Sequence, residues 1–145
     1  MQKLIDLIRA LRDRIGQKDW KAVLNSVPEL LDAMGKADDA TAVRQLITGV
    51  ADGDARDVAV GSAQLVFDVL EGYYGFAHVT VKGTPGSPED VLLRRATDLC
   101  DHVEGHEVNK MTNSPRVAAI PVELLTVLGN IIASLVVSFL RNRGY

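Results

Sequence analysis

Residues 124–140 read LLTVLGNIIASLVVSFL, and this run without a charged side chain constrains how the rest of the chain can fold. Between Val117 and Leu140 the one charged residue is Glu123, and Arg141 and Arg143 follow the run directly. The run lies at the lower length limit for a membrane-spanning helix. We therefore expect an apolar C-terminal segment over residues 117–141, with a helix from about residue 121 that must be covered on most of its surface.

Polar side chains inside this segment recur every three or four residues. In a helix that spacing places them along one narrow stripe. Gly129 and Ala133 lie beside the stripe and permit close approach of another helix. The predicted interface residues of this helix are Glu123, Thr126, Gly129, Asn130, Ala133, Ser134 and Ser138.

Three interpretations of this helix stay open. It is a nearly surrounded core helix whose polar stripe reaches solvent, as short apolar runs in soluble proteins usually are. Alternatively, it is an interface helix that meets a second copy of the chain. The third interpretation is a tail anchor or membrane-inserting helix over residues 121–141, since the apolar and polar contributions to insertion nearly cancel.

Upstream of this segment the chain reads as ordinary amphipathic helices. In residues 3–15, Leu4, Ile8, Leu11 and Ile15 form one apolar stripe, and Gly16 is the expected terminator. Further helices are predicted from an Asp19 cap, from a cap at Asp38 or Asp39, over 55–74, and from Ser87 to about Glu104, where Gly105 ends the helix. At Pro28 either a new helix starts or the existing one kinks. The predicted fold is all-α, with five or six helices bundled around the apolar C-terminal helix.

Residues 75–87 are the least helical part and predict an irregular loop. Residues 76–81 alternate β-branched and other side chains, as in a short strand or an extended loop. Tyr73 and Tyr74 precede Gly75 at a predicted helix end. They are candidate contact residues, although aromatic pairs in this position more often seal the edge of a core.

Composition bounds the class of protein. The 145 residues match the length of one domain, and 47% of them are hydrophobic, which argues against a disordered chain. One Cys excludes an intramolecular disulfide, and a net charge of −3 argues against broad nucleic-acid binding. With charges early in the N-terminal helix and no secretory signal in view, we expect a cytoplasmic protein. Arg and Asp outnumber Lys and Glu, a usage typical of GC-rich bacteria or their phages.

One set of side chains has metal-ligand chemistry. Asp98, His102 and His106 are spaced i, i+4, i+8, which would align them on one helix flank as ligands for Zn or Fe(II). A break at Gly105 would separate His106, and no matching motif occurs elsewhere, unlike in di-iron bundles. A solvated polar flank is the simpler explanation. Cys100 lacks a positioned base and reads as a packed thiol.

No catalytic constellation emerges from the sequence, so the expected function is non-enzymatic and without a cofactor. We expect a helical interaction or assembly module whose partner is another protein or a second copy of itself. The alternatives are a membrane-associated protein with a soluble helical head and an inserting C-terminal helix, or a metal-binding helical-bundle enzyme.

Overall fold

The computed structural model describes residues 2–74, 87–111 and 122–145. These residues form six α-helices and contain no strand, which confirms the predicted all-α bundle. The helices are α1 (Gln2–Gly16), α2 (Trp20–Ala33), α3 (Ala37–Thr48), α4 (Ala55–Tyr74), α5 (Pro88–Met111) and α6 (Val122–Asn142), with a 3₁₀ turn at Asp52–Asp54 before α4. The predicted irregular loop, apart from Ser87, and the predicted strand over 76–81 lie outside the described residues.

Two groups of four helices share one wall. In the first group, α1, α2, α4 and α5 contact one another in a ring; in the second, α2, α3, α6 and α4 do the same. The common wall is the α2–α4 pair, and α2 also touches α6. The apolar helix α6 therefore closes the side of the bundle formed with α3.

A single apolar core runs through both groups. Leu4, Ile8, Leu11 and Ile15 of α1 are buried, as their spacing predicts. The shared wall is built from buried apolar side chains of α2 and α4. In α2 these are Val23, Leu24, Val27, Leu30 and Leu31, and in α4 they lie on the Val58–Leu70 face, which includes Phe67. Burying a large aliphatic or aromatic side chain contributes about 1.5–3 kcal/mol, so this continuous set dominates the stability of the fold.

Side-chain caps fix where several helices begin. The Asp19 carboxylate accepts a hydrogen bond from the Ala22 N–H and starts α2 as predicted. At α5 the Ser87 hydroxyl accepts from the Asp90 N–H while Asp90 accepts from the Ser87 N–H, a reciprocal capping box ahead of Pro88. Helix α2 ends at Ala33, and Gly35, just past the Met34 cap, has a φ of +81°, the left-handed conformation that suits glycine.

Three expected helix boundaries are wrong. Helix α5 continues through Gly105 to Met111, because one internal glycine costs only about 1 kcal/mol relative to Ala. Gly16 remains helical in α1, and Lys18 takes the left-handed conformation with φ 58°. Helix α3 starts after Lys36, and the expected cap residues Asp38 and Asp39 fall in its first turn, where their charge favours the helix dipole.

Pro28 lies inside one continuous helix, α2. Proline removes a backbone hydrogen bond and usually weakens a helix interior. Here α1 reinforces the same stretch, because Nη1 of Arg14 lies 2.6 Å from the Ser26 hydroxyl and 2.9 Å from Oε2 of Glu29. Pro28 itself is buried in the α2 face. The α1–α2 contact thus holds the helix together on both sides of its proline.

Candidate functional site

Helix α6 is anchored in the bundle by one face. Leu128, Ile132, Val136 and Leu140 are buried against the helices that α6 contacts, namely α2, α3 and α4. Their spacing of four residues per step keeps them on one side of the helix. At the C-terminal end Tyr145 donates a hydrogen bond to Oδ2 of Asp54 at 2.7 Å, which ties the segment after α6 to the turn before α4.

A neighbouring side of α6 carries an apolar stripe that faces solvent. Its members are Leu124, Val127, Ile131 and Leu135, with 41%, 48%, 43% and 39% of their surface exposed. Among the residues whose side chains the structure describes, these four are the only exposed large hydrophobics. They follow one another at intervals of three or four residues, so they form a continuous strip over about three helical turns.

The predicted polar stripe lies next to this apolar stripe. Asn130, Ser134 and Ser138 are exposed, and they line a shallow polar groove between α3 and α6 together with Asp39 and Arg141. Thr126 is half-buried, and the Glu123 side chain lies outside the described residues. Asp39 is ion-paired with Lys36 at 3.4 Å. The polar groove therefore offers hydroxyl and amide groups beside an ordinary surface ion pair.

Gly129 and Ala133, predicted to permit close helix approach, are buried inside the chain. A Cβ at Gly129 would lie 2.7 Å from Cγ of Lys36 and 3.2 Å from Cβ of Met34. The close approach that Gly129 provides is therefore made to the connection between α2 and α3. It lets α6 pack tightly against its neighbours in the second group and leaves the apolar stripe exposed to solvent.

The remaining predicted contact residues are at the end of α4. Tyr73 is partly buried and packs against the core. Tyr74 is the last residue of α4, and its side chain lies outside the described residues. Tyr73 thus seals the core edge.

The predicted metal ligands all fall on α5, since that helix runs through Gly105. Asp98 is half-buried, and the side chains of His102 and His106 lie outside the described residues. Among the described side chains, no group of three His, Cys, Asp or Glu residues could hold a metal ion. Cys100 is buried in the core, as expected for a packed thiol.

A largely buried ion cluster joins α4 to α5. Arg95 contacts Glu71 through two hydrogen bonds of 2.9 and 3.2 Å and Asp68 through one of 2.6 Å, with its guanidinium over the Phe67 ring. Burial lowers the pKa of Arg95, but the hydrogen bonds that Arg95 donates to Glu71 and Asp68 outweigh it, so its pKa is raised above its ordinary value. A permanently charged, fully engaged arginine is suited to holding helices together rather than to proton transfer.

Sequence reasoning singled out the polar stripe and missed the apolar stripe beside it. In an apolar helix, hydrophobic periodicity cannot say which apolar residues face the core. The signal was nonetheless present, because the 124, 127, 131, 135 spacing repeats as in a helix–helix seam. Which of the two faces turns outward depends on how α3 and α4 receive α6.

The chain matches no protein-family model, no curated protein and no solved structure. Helix α6 is also long and apolar enough to cross a membrane by length and composition, over Leu124–Asn142 with a mean hydropathy of 1.9. A third of that span is buried inside the bundle. Function therefore has to be inferred from the chemistry of this surface.

Proposed function

We propose that this chain is a non-enzymatic assembly module that associates with a second copy of itself through the apolar stripe of α6. The observation that carries the proposal is the position of Leu124, Val127, Ile131 and Leu135 on one outward side of a single helix. Single exposed hydrophobics are normal on soluble proteins, but a contiguous apolar patch rimmed by polar residues is typical of an interaction site.

The lack of charge on the stripe also favours a second copy as the partner. No charged residue occurs from 124 to 140, so two copies of this face can meet without opposing like charges. The neighbouring Asn130, Ser134 and Ser138 supply the polar rim that surrounds the apolar centre of protein interfaces. A self-complementary patch of this kind is what a two-fold dimer requires.

The mass of the chain in detergent-free solution tests the proposal. Sedimentation equilibrium over a concentration series is expected to show a species of twice the 15.7 kDa chain mass. Ile131→Ser is expected to shift the equilibrium to monomer at least tenfold, because it removes an apolar contact and leaves helix propensity nearly unchanged. Gln45→Ser, at an exposed position of α3, is the matched control and should leave the mass unchanged. A strict monomer at every concentration contradicts the proposal.

Membrane association is the second candidate, and the length and hydropathy of α6 favour it. To span a bilayer, α6 would have to withdraw Ile132, Val136 and Leu140 from the core and expose the faces of α2, α3 and α4 that they cover. Self-association uses the exposed side alone and keeps the core intact, which is why we favour it. Co-flotation of the full chain with phospholipid vesicles, with loss of the soluble dimer, would support the membrane alternative.

A further inference from the structure

We infer that the two copies pair with their α6 helices antiparallel, about a two-fold axis that passes between Gly129 and Asn130. This inference rests on the proposed self-association and specifies its geometry. It follows from two features of the described α6, namely the positions of the four stripe residues along the helix and the placement of charge at its end.

The stripe is nearly symmetric about its own middle. With the axis between Gly129 and Asn130, Leu124 faces Leu135 of the partner subunit. Val127 lies opposite Ile131 of the partner subunit with an offset of one residue, about 1.5 Å along the helix. Each leucine thus meets a leucine and each β-branched residue meets a β-branched residue. The antiparallel arrangement gives up none of the four apolar contacts.

Charge distinguishes this arrangement from a parallel one. Arg141 and Arg143 are both exposed and lie at the C-terminal end of α6. Parallel pairing would bring two arginines from each copy to the same end of the interface and would align the helix dipoles side by side. Antiparallel pairing separates these charges to opposite ends and opposes the dipoles.

The polar rim follows the same geometry. A two-fold axis perpendicular to α6 keeps equivalent flanks of both helices on one side of the contact. Asn130, Ser134 and Ser138 of the two copies then form one continuous polar edge, while a parallel pair would place them on opposite edges.

Distances between spin labels on the full chain test the orientation. Three exposed sites, Asn130, Ser138 and Asn142, are changed one at a time to Cys and labelled in a Cys100→Ala background, since Cys100 is the one native thiol and is buried. With about 1.5 Å per residue and helix axes 8–10 Å apart, the label-to-label distance is expected to rise from about 10–20 Å at 130 to about 25 Å at 138 and about 40 Å at 142. Circular dichroism confirms that each labelled chain is folded.

The outcomes separate the two proposals. Distances that increase in the order 130, 138, 142 support the antiparallel pair. Equally short distances at all three sites, in a chain that sediments as a dimer, overturn the antiparallel geometry and leave self-association standing. A folded chain that sediments as a monomer and gives no distance between labels overturns both.

Discussion

Arg95 of α5 holds Glu71 of α4 by two hydrogen bonds, to a carboxylate whose side chain is only 8% exposed. The pair joins α4 and α5, two neighbouring helices of the first four-helix group. A buried carboxylate is costly without its partner, so the contribution of this pair appears when one member is removed alone.

Removing Arg95 by Arg95→Met is expected to lower the free energy of unfolding by about 2–4 kcal/mol, because Glu71 stays buried with its charge uncompensated. The double variant Arg95→Met/Glu71→Met should recover most of that loss, since it replaces the pair with apolar volume. Urea denaturation of both variants and of Glu71→Met alone completes the cycle. Additive losses in the double variant would show that the two side chains do not interact.

Glycine positions in α4 offer a matched pair of substitutions. Gly72 has nothing within 4 Å of where a Cβ would stand, so Gly72→Ala should raise the free energy of unfolding by about 0.5–1 kcal/mol through helix propensity. At Gly61 the same methyl would lie 2.9 Å from Cε2 of Phe139 and would push on α6. We expect Gly61→Ala to lose about 1 kcal/mol instead. Equal gains at the two sites in thermal or urea unfolding would contradict the α4–α6 contact.

Lys18 adopts a backbone conformation that favours glycine, with φ 58°. A residue with a side chain in the left-handed region costs about 1–2 kcal/mol. Glycine avoids this cost but loses more conformational entropy on folding, so Lys18→Gly should raise the free energy of unfolding by about 0.5–1 kcal/mol. The neighbouring Gln17→Gly is the control and should destabilise the protein, because the described chain shows no left-handed backbone at Gln17. Chemical denaturation of the two variants gives the comparison directly.

The hydrogen bond between Tyr145 and Asp54 predicts that the stability of the fold changes at alkaline pH. Donation of its O–H to Asp54 raises the pKa of Tyr145 above the ordinary 10.0. The neutral phenol is the form that the folded state favours, so its stabilisation is complete below the unfolded pKa of about 10 and is lost as pH rises through the higher folded pKa. Wild type should unfold at higher urea than Tyr145→Phe at about pH 8, and the difference should vanish or reverse above about pH 11. A difference independent of pH would mean that ring packing, not the hydrogen bond, stabilises this end.

Local chemistry made much of the fold predictable from sequence. Helix α4 has the bounds expected from its apolar pattern, and the Asp19 and Ser87 caps fix two further helix starts. These features depend on residues within one or two turns of each other. The end of α5 was not predictable in this way, because an internal glycine terminates a helix only where the chain turns into the left-handed conformation.

The outward side of α6 depends on contacts far away in sequence. Gly129 fits against Lys36 and Met34, and Gly61 receives Phe139. These two contacts set the rotation of α6 about its axis, and they decide that Ile132 points inward while Ile131 points outward. Neither contact can be read from the periodicity of an apolar helix, which is why the apolar stripe emerged only with the structure.

Helix α6 packs against α3 and against both helices of the wall common to the two four-helix groups, α2 and α4. It is therefore part of the core and not a separate C-terminal extension. Cutting the chain before Val122 would remove α6 from α2, α3 and α4. It would expose the apolar surfaces that Ile132, Val136 and Leu140 now cover. A truncated chain that aggregates would thus report an opened core rather than a lost anchor. Single substitutions at the exposed positions of α6 leave the core intact and therefore test directly what this helix binds.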